Sequence, residues 1–156
     1  MVAIKRTRTY VAKPTELDPR WHLFDASAVP LGRMAGEIAT ILQGKHRPTY
    51  TKTINTGDFV VVVNSASVLT TGKKREQKKY HFHSGYQGGL RTVTMDKMLD
   101  RTPNKVIEMA VWGMLPKTTM GRNMLKRMKV YSGPDHPHQA QLAGYAPGEG
   151  ASEDNA

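Results

Sequence analysis

The sequence predicts an α/β fold in which at least one parallel strand is covered on both faces. Three observations predict it. Phe59–Val63 reads Phe-Val-Val-Val-Val, a β-branched apolar run without polar alternation, as a central parallel strand under helices requires. Trp21–Asp25 reads as a strand and is followed within a few residues by a strongly periodic helix, the beginning of a strand–helix–strand unit. Helical periodicity then returns three times after the central run. At 156 residues the chain is sized for one domain with a real core.

In chain order, residues 1–20 form an extended basic arm. Lys5, Arg6, Arg8 and Lys13 precede any acid, and Pro14 and Pro19 disfavour a continuous helix; the stretch fits equally a frayed terminus or a basic arm that orders on RNA with Tyr10 available to stack. After the first strand, Pro30 suits a first helical turn. Leu31, Met34, Ala35, Ile38, Ile41 and Leu42 make one apolar stripe, and Gly44 suits the C-cap. Residues 43–52 form a polar loop carrying Lys45, His46, Arg47 and Lys52. Lys45 fits two uses equally, complementing the helix dipole or meeting RNA. Gly57-Asp58 leads into the central strand. Residues 65–71 fit either a helical turn or a strand, and residues 72–79, with Lys73 and Lys74, form a basic turn or loop.

Tyr80-His81-Phe82-His83 alternates, which predicts a strand with aromatics on one face and histidines on the other. Gly85-Tyr86-Gln87-Gly88-Gly89 is a tight turn. Thr94 can cap a short helix holding Met95, Met98 and Leu99, and Thr102-Pro103 starts another with Val106, Ile107, Ala110, Val111 and Met114 as its stripe. Residues 115–131 contain no acid, and none lies between Glu108 and Asp135. Met120, Met124, Leu125 and Met128 fall on one helical face, and Arg122, Lys126 and Lys129 on another. Val130-Tyr131 suits a short last strand. Beyond Gln141 the Gly, Ala, Pro and acid composition predicts a disordered tail. The organisation is thus a basic arm (1–20), one α/β body (21–141) and an acidic tail (142–156).

Charge narrows the function. The formal net charge is +10 and the sequence pI about 9.9; the three tail acids Glu149, Glu153 and Asp154 leave the rest of the chain at +13. An excess of this kind suits a polyanion. A solvated lysine-rich helix face would more often mix signs, so the acid-free stretch with Lys117, Arg122, Lys126, Arg127 and Lys129 is the leading RNA-contact candidate. Absence of cysteine excludes disulfides, thiolate chemistry and Cys-based zinc sites. The longest apolar run is far too short to cross a bilayer, and the N-terminus lacks the apolar core of a secretory signal.

Catalytic signatures are missing: there is no Walker phosphate loop around Lys73, no Gly-x-Ser-x-Gly elbow and no Gly-x-Gly-x-x-Gly after a strand. His81/His83 and His136/His138 have strand-like metal spacing but no convincing third and fourth ligands, so no metal and no cofactor are expected. Histidines facing phosphate or base edges, His83 among them, fit better, against the plain alternative of a histidine on a buried face that is simply hydrogen-bonded. The competing readings are a small α/β enzyme using the Gly85 turn as a phosphate site, which lacks acid–base pairs, and a free-standing nucleic-acid regulator.

Several blocks occur in an order that resembles one family. They include Trp21-His22-Leu23-Phe24-Asp25-Ala26, Leu31-Gly32-Arg33-Met34-Ala35, Gly57-Asp58-Phe59-Val60-Val61-Val62, and His83-Ser84-Gly85-Tyr86 followed by Gly88-Gly89. The most specific are Gly113-Met114-Leu115-Pro116-Lys117 with Gly121-Arg122, and Gly133-Pro134 with His136-Pro137-His138. The chain resembles the bacterial-type large-subunit ribosomal protein thirteen family over about residues 8–141. The resemblance implies a three-layer α/β/α sandwich around a small, mainly parallel sheet. It also implies a non-catalytic cytoplasmic ribosome component that packs on large-subunit rRNA, helps early subunit assembly and touches neighbouring large-subunit ribosomal proteins. Some members also repress their own mRNA. No membrane and no small-molecule substrate are implied. The expected rRNA contacts are Lys117, Arg122, Lys126, Arg127 and Lys129, with Lys73, Lys74, Lys45, Arg47, Lys52, His83, Arg6 and Arg8 outlying.

Overall fold

The computed structural model describes residues 10–143. Arg6 and Arg8, and all of the acidic tail from residue 144, lie outside the described residues.

Three strands form a parallel sheet in the order β1–β2–β5, with β1 Trp21–Asp25, β2 Phe59–Val63 and β5 Met128–Val130. The register pairs Trp21 with Phe59, Leu23 with Val61, and Val60 with Met128. The non-alternating run is therefore the central strand. Val60, Val61 and Val62 are completely buried and Val63 nearly so, which puts no alternate side chain in solvent. Each such burial contributes about 1.5–3 kcal/mol.

The two faces are covered unequally. Val60 and Val62 meet the main core, built from α1 (Leu31–Gln43), α3 (Met95–Arg101), α4 (Pro103–Met114) and α5 (Thr119–Lys126). The helix α1 buries Leu31, Met34, Ala35, Ile38 and Leu42, five of the six residues of its expected stripe, with Ile41 half-buried beside them. Gly44 ends it at φ 77°, a left-handed cap that only glycine takes without strain. On the other face the layer is thin. The short helix α6 (Gln139–Ala143) packs against β1, and Trp21 stacks on Phe59 (4.6 Å) and meets His138 (5.0 Å). The α6 helix runs past residue 141, where the sequence suggested the body would end.

Other details differ from the sequence expectation. Residues 10–20 are not simply extended: Pro14–Glu16 makes a 3-10 turn, Tyr10 donates to Glu16 (2.7 Å), and Ala12 is buried. Of the two alternatives for residues 65–71, Ser65–Ser67 takes the helical turn, as a 3-10 turn, and within the expected turn or loop Lys74–Gln77 forms a one-turn helix, α2. Strand β3 (Lys79–His83) pairs antiparallel with β4 (Leu90–Thr94), a strand the reading above lacks. The basic helix stops at Lys126. Met128 and Lys129, which helical spacing would carry onward, belong to β5.

Candidate nucleic-acid interface

The fold splits the acid-free stretch into three environments. Thr118 caps α5, accepting from the Gly121 N–H (3.3 Å). Gly121 itself is buried against the preceding turn, where an added Cβ would lie 1.9 Å from the Pro116 carbonyl oxygen. This close approach fixes α5 with Met124 inward and Arg122 and Lys126 outward. Those two cations flank an apolar groove floored by Met109, Trp112 and Leu125, with Glu108 on its α4 side. Lys117 is exposed but folded back: it donates to the Trp112 carbonyl and lies 4.1 Å from the Trp112 ring centre. Lys129 alternates to the opposite sheet face from Met128 and Val130, so it does not extend the Arg122–Lys126 stripe.

Arg127 has turned inward. It donates to the Gly57 carbonyl and lies over the Phe59 ring at 5.2 Å. Burial pulls its guanidinium below the ordinary arginine value, Asp58 opposes that shift, and Arg47 adds to it. A guanidinium so engaged supports the sheet edge and the loop before β2, and it is not arranged like Arg122.

Asp58 explains much of this, and nothing in the sequence singled it out. Its side chain is fully buried, immediately before β2. One carboxylate oxygen accepts from the Arg20 N–H (3.0 Å) and Arg47 (2.5 Å); the other accepts from His22 (3.0 Å) and His46 (2.9 Å). Four donors fill the four acceptor positions of a carboxylate. Burial pushes the Asp58 carboxyl up, but the hydrogen bonds from His22 and Arg20 and the charges of Arg47 and His46 outweigh it. The net result lies below the ordinary aspartate value. Arg47 also donates to the Asp18 carbonyl (2.6 Å), so the loop after α1 and the segment before β1 are clamped to one anchor. The partners sit 11 to 38 positions from Asp58 in the chain, which is why no local motif announces the cluster.

His22, His46 and Asp58 also bring their ligand atoms within 4.8 Å of one another, the spacing a metal ion could use. The surroundings favour the hydrogen-bonded state instead. Arg47 occupies the other carboxylate oxygen and Arg127 stands within the field of the same charge, so an added cation meets repulsion. The two His-x-His pairs are used locally. His81 bonds Thr92 (3.0 Å), His83 accepts from the Gly85 N–H (2.9 Å), His136 accepts from the His138 N–H (3.3 Å) and His138 bonds Tyr131 (2.9 Å).

The remaining expected contacts are at the surface. Lys45, Lys52 and Lys73 are exposed, and Lys74 is exposed while bonding Thr71 (3.2 Å). Among the described residues, no ion pair is found for Arg122, Lys126, Lys129, Lys45, Lys52, Lys73 or Lys74. No helix among the described residues is long and apolar enough to cross a membrane.

Comparison with known proteins adds the family. The family profile described as Ribosomal protein L13 matches residues 19–137. A protein of Thermus thermophilus named large ribosomal subunit protein uL13 is 56% identical over 134 residues, 86% of this chain and 94% of its own length. Proteins of the same name from Natranaerobius thermophilus and Thermobifida fusca are 55% and 52% identical. They cover 85% and 86% of this chain, and 93% and 90% of their own lengths.

Proposed function

Because the chain belongs to the ribosomal protein L13 family, we propose that it packs on large-subunit rRNA and helps the subunit assemble early, beside neighbouring ribosomal proteins. The family consists of structural components of the large ribosomal subunit, not enzymes, and its members work in the cytoplasmic ribosome. No catalytic step is therefore assigned.

The proposed mechanism is electrostatic and geometric. Cations neutralise phosphates where RNA helices crowd, and the α/β body fixes their positions. The observation that carries this reading is the pair Arg122 and Lys126, one turn apart, exposed and without an ion pair among the described residues. Two like charges at that spacing repel in water and are relieved by a polyanion. Arg122 suits a bidentate phosphate contact better than a lysine would. Lys117 and Lys129, with Lys73, Lys74, Lys45, Lys52 and His83, serve as outlying contacts; Arg6 and Arg8 of the arm are proposed on sequence alone. Residues 21–141 are taken as the RNA-binding body. Arg47 and Arg127 contribute chiefly by holding the fold around Asp58.

The test is Arg122→Ala with Lys126→Ala, measured as incorporation into large subunits across a salt series. Incorporation should weaken, and the salt slope should flatten by about 0.7–0.9 per lost phosphate contact, at unchanged melting temperature. Normal incorporation with wild-type salt response would move the contact surface away from α5.

A further inference from the structure

From residue 69 to residue 94 the chain contains no buried side chain. This is the helix α2 and the β3–β4 hairpin. Helix α2 packs on α3, and the hairpin is held at its root: Tyr80 and Val93 lean on the core, and the Met95 N–H donates to the Lys78 carbonyl (2.9 Å). Beyond that root both faces of the strand pair are open. On one face Phe82 is paired across the strands with Arg91; on the other His83 is paired with Leu90. Two-stranded hairpins are marginal in water without something to pack against.

The hairpin carries three of the eight exposed large apolar side chains among the described residues: Phe82 (41% exposed), Tyr86 (81%) and Leu90 (63%). The turn displays Tyr86 by construction. Gly85 and Gly88 take φ of 93° and 69°, and the Gly89 N–H closes onto the Tyr86 carbonyl (3.0 Å), leaving the ring outside. Charge says what covers these rings. Lys73, Lys74, Arg75, Lys78, Lys79 and Arg91 stand against a single acid, Glu76, and all seven are exposed. A protein surface that covered this element would need matching acids as well as apolar side chains. A nucleic-acid strand supplies both requirements at once, phosphates for the cations and unpaired bases for the rings.

We propose that the β3–β4 hairpin is a wedge for an unpaired stretch of rRNA, with one base stacked on Phe82 and another on Tyr86 while Arg91 and the α2–β3 lysines hold the backbone. This inference rests on the reading of the protein as an rRNA-packing component. It adds a base-contacting element, outside the acid-free stretch, to the phosphate contacts of the α5 face. The wedge also accounts for rings left bare on a hairpin that could have been polar throughout.

The test uses the full chain assembled into large subunits, with a photoreactive benzophenone amino acid installed at position 86. Irradiation should produce an adduct that nuclease removes, mapping to large-subunit rRNA. An adduct to a ribosomal protein, or no adduct, overturns the wedge while leaving the broader function intact, provided that the unmodified chain still sediments with large subunits. If the unmodified chain does not sediment with them, both readings fall. Independently, Phe82→Ala with Tyr86→Ala should lose at least about thirtyfold in competition with wild type for incorporation, as the stacking of two bases predicts. Its melting temperature should not change, because neither ring is in the core. Equal competition would overturn the proposal.

Discussion

Replacing Asp58 by alanine should destabilise this fold more than any change to an exposed charge. The carboxylate is fully buried and accepts from four donors on two segments of the chain: the Arg20 N–H and His22 at β1, and His46 and Arg47 after α1. Alanine removes every acceptor and leaves the donors facing a void, with the Arg47 guanidinium only partly exposed and the charge of Arg127 nearby. Losing one member of a buried pair costs about 3–5 kcal/mol, much of it from the charge left behind. For a chain of this size each kcal/mol corresponds to roughly 2–4 °C in melting temperature, so a fall of roughly 6–20 °C is expected. Asp58→Asn should lose nearly as much, because its amide would set donors against donors. The assay is urea unfolding followed by circular dichroism, with thermal melts alongside. A loss below about 1 kcal/mol would refute the anchor, since only a solvated or dispensable carboxylate could be removed so cheaply.

Three further outcomes follow from the same structure. The depressed Asp58 value means that its stabilisation is present above the ordinary carboxylate value of about 3.9 and is lost as pH falls through the lower folded value. The stability gap between wild type and Asp58→Ala should therefore be steady near neutrality and close in acid, and a gap that persists unchanged at the lowest measurable pH would contradict this. Gly121→Ala should cost about 1–3 kcal/mol in chemical denaturation, because its Cβ would meet the Pro116 carbonyl at 1.9 Å; a neutral result would mean that the turn before α5 can open freely. Met124→Asp or Met128→Asp, at sites only 5% and 7% exposed, should abolish cooperative melting by burying a charge, whereas a wild-type melt would show that the α5–β5 junction is not part of the core.

Much of the body was legible because its signals are local. The β-branched run of β2, the stripe and glycine cap of α1, and the Thr-Pro start of α4 each depend on residues within one element. The α5–β5 junction misled for a physical reason. Met128 faces the core whether the chain continues as helix or turns into strand, so the apolar pattern is the same in both cases, and no glycine or proline marks the stop at Lys126. Strand β4 carried a usable signal: Leu-Arg-Thr-Val-Thr follows a glycine turn and opposes β3, a hairpin pattern that is compatible with Thr94 also standing at the N-cap of α3. The Asp58 cluster had no such signal. Its members are separated along the chain, and only the sheet register and the return of the loop after α1 bring them together. For the same reason Arg47 and Arg127 look like free cations in the sequence and prove to be engaged in the fold.

The central claim is that this chain is a resident part of the large subunit, held there by phosphate contacts on a rigid α/β body. Co-sedimentation of the full chain with large ribosomal subunits through a high-salt cushion tests it most directly. The chain should stay with the subunits at stoichiometric level after loosely bound nucleic-acid binders have washed away. A chain that elutes with those binders, while the neighbouring ribosomal proteins remain in place, would contradict it.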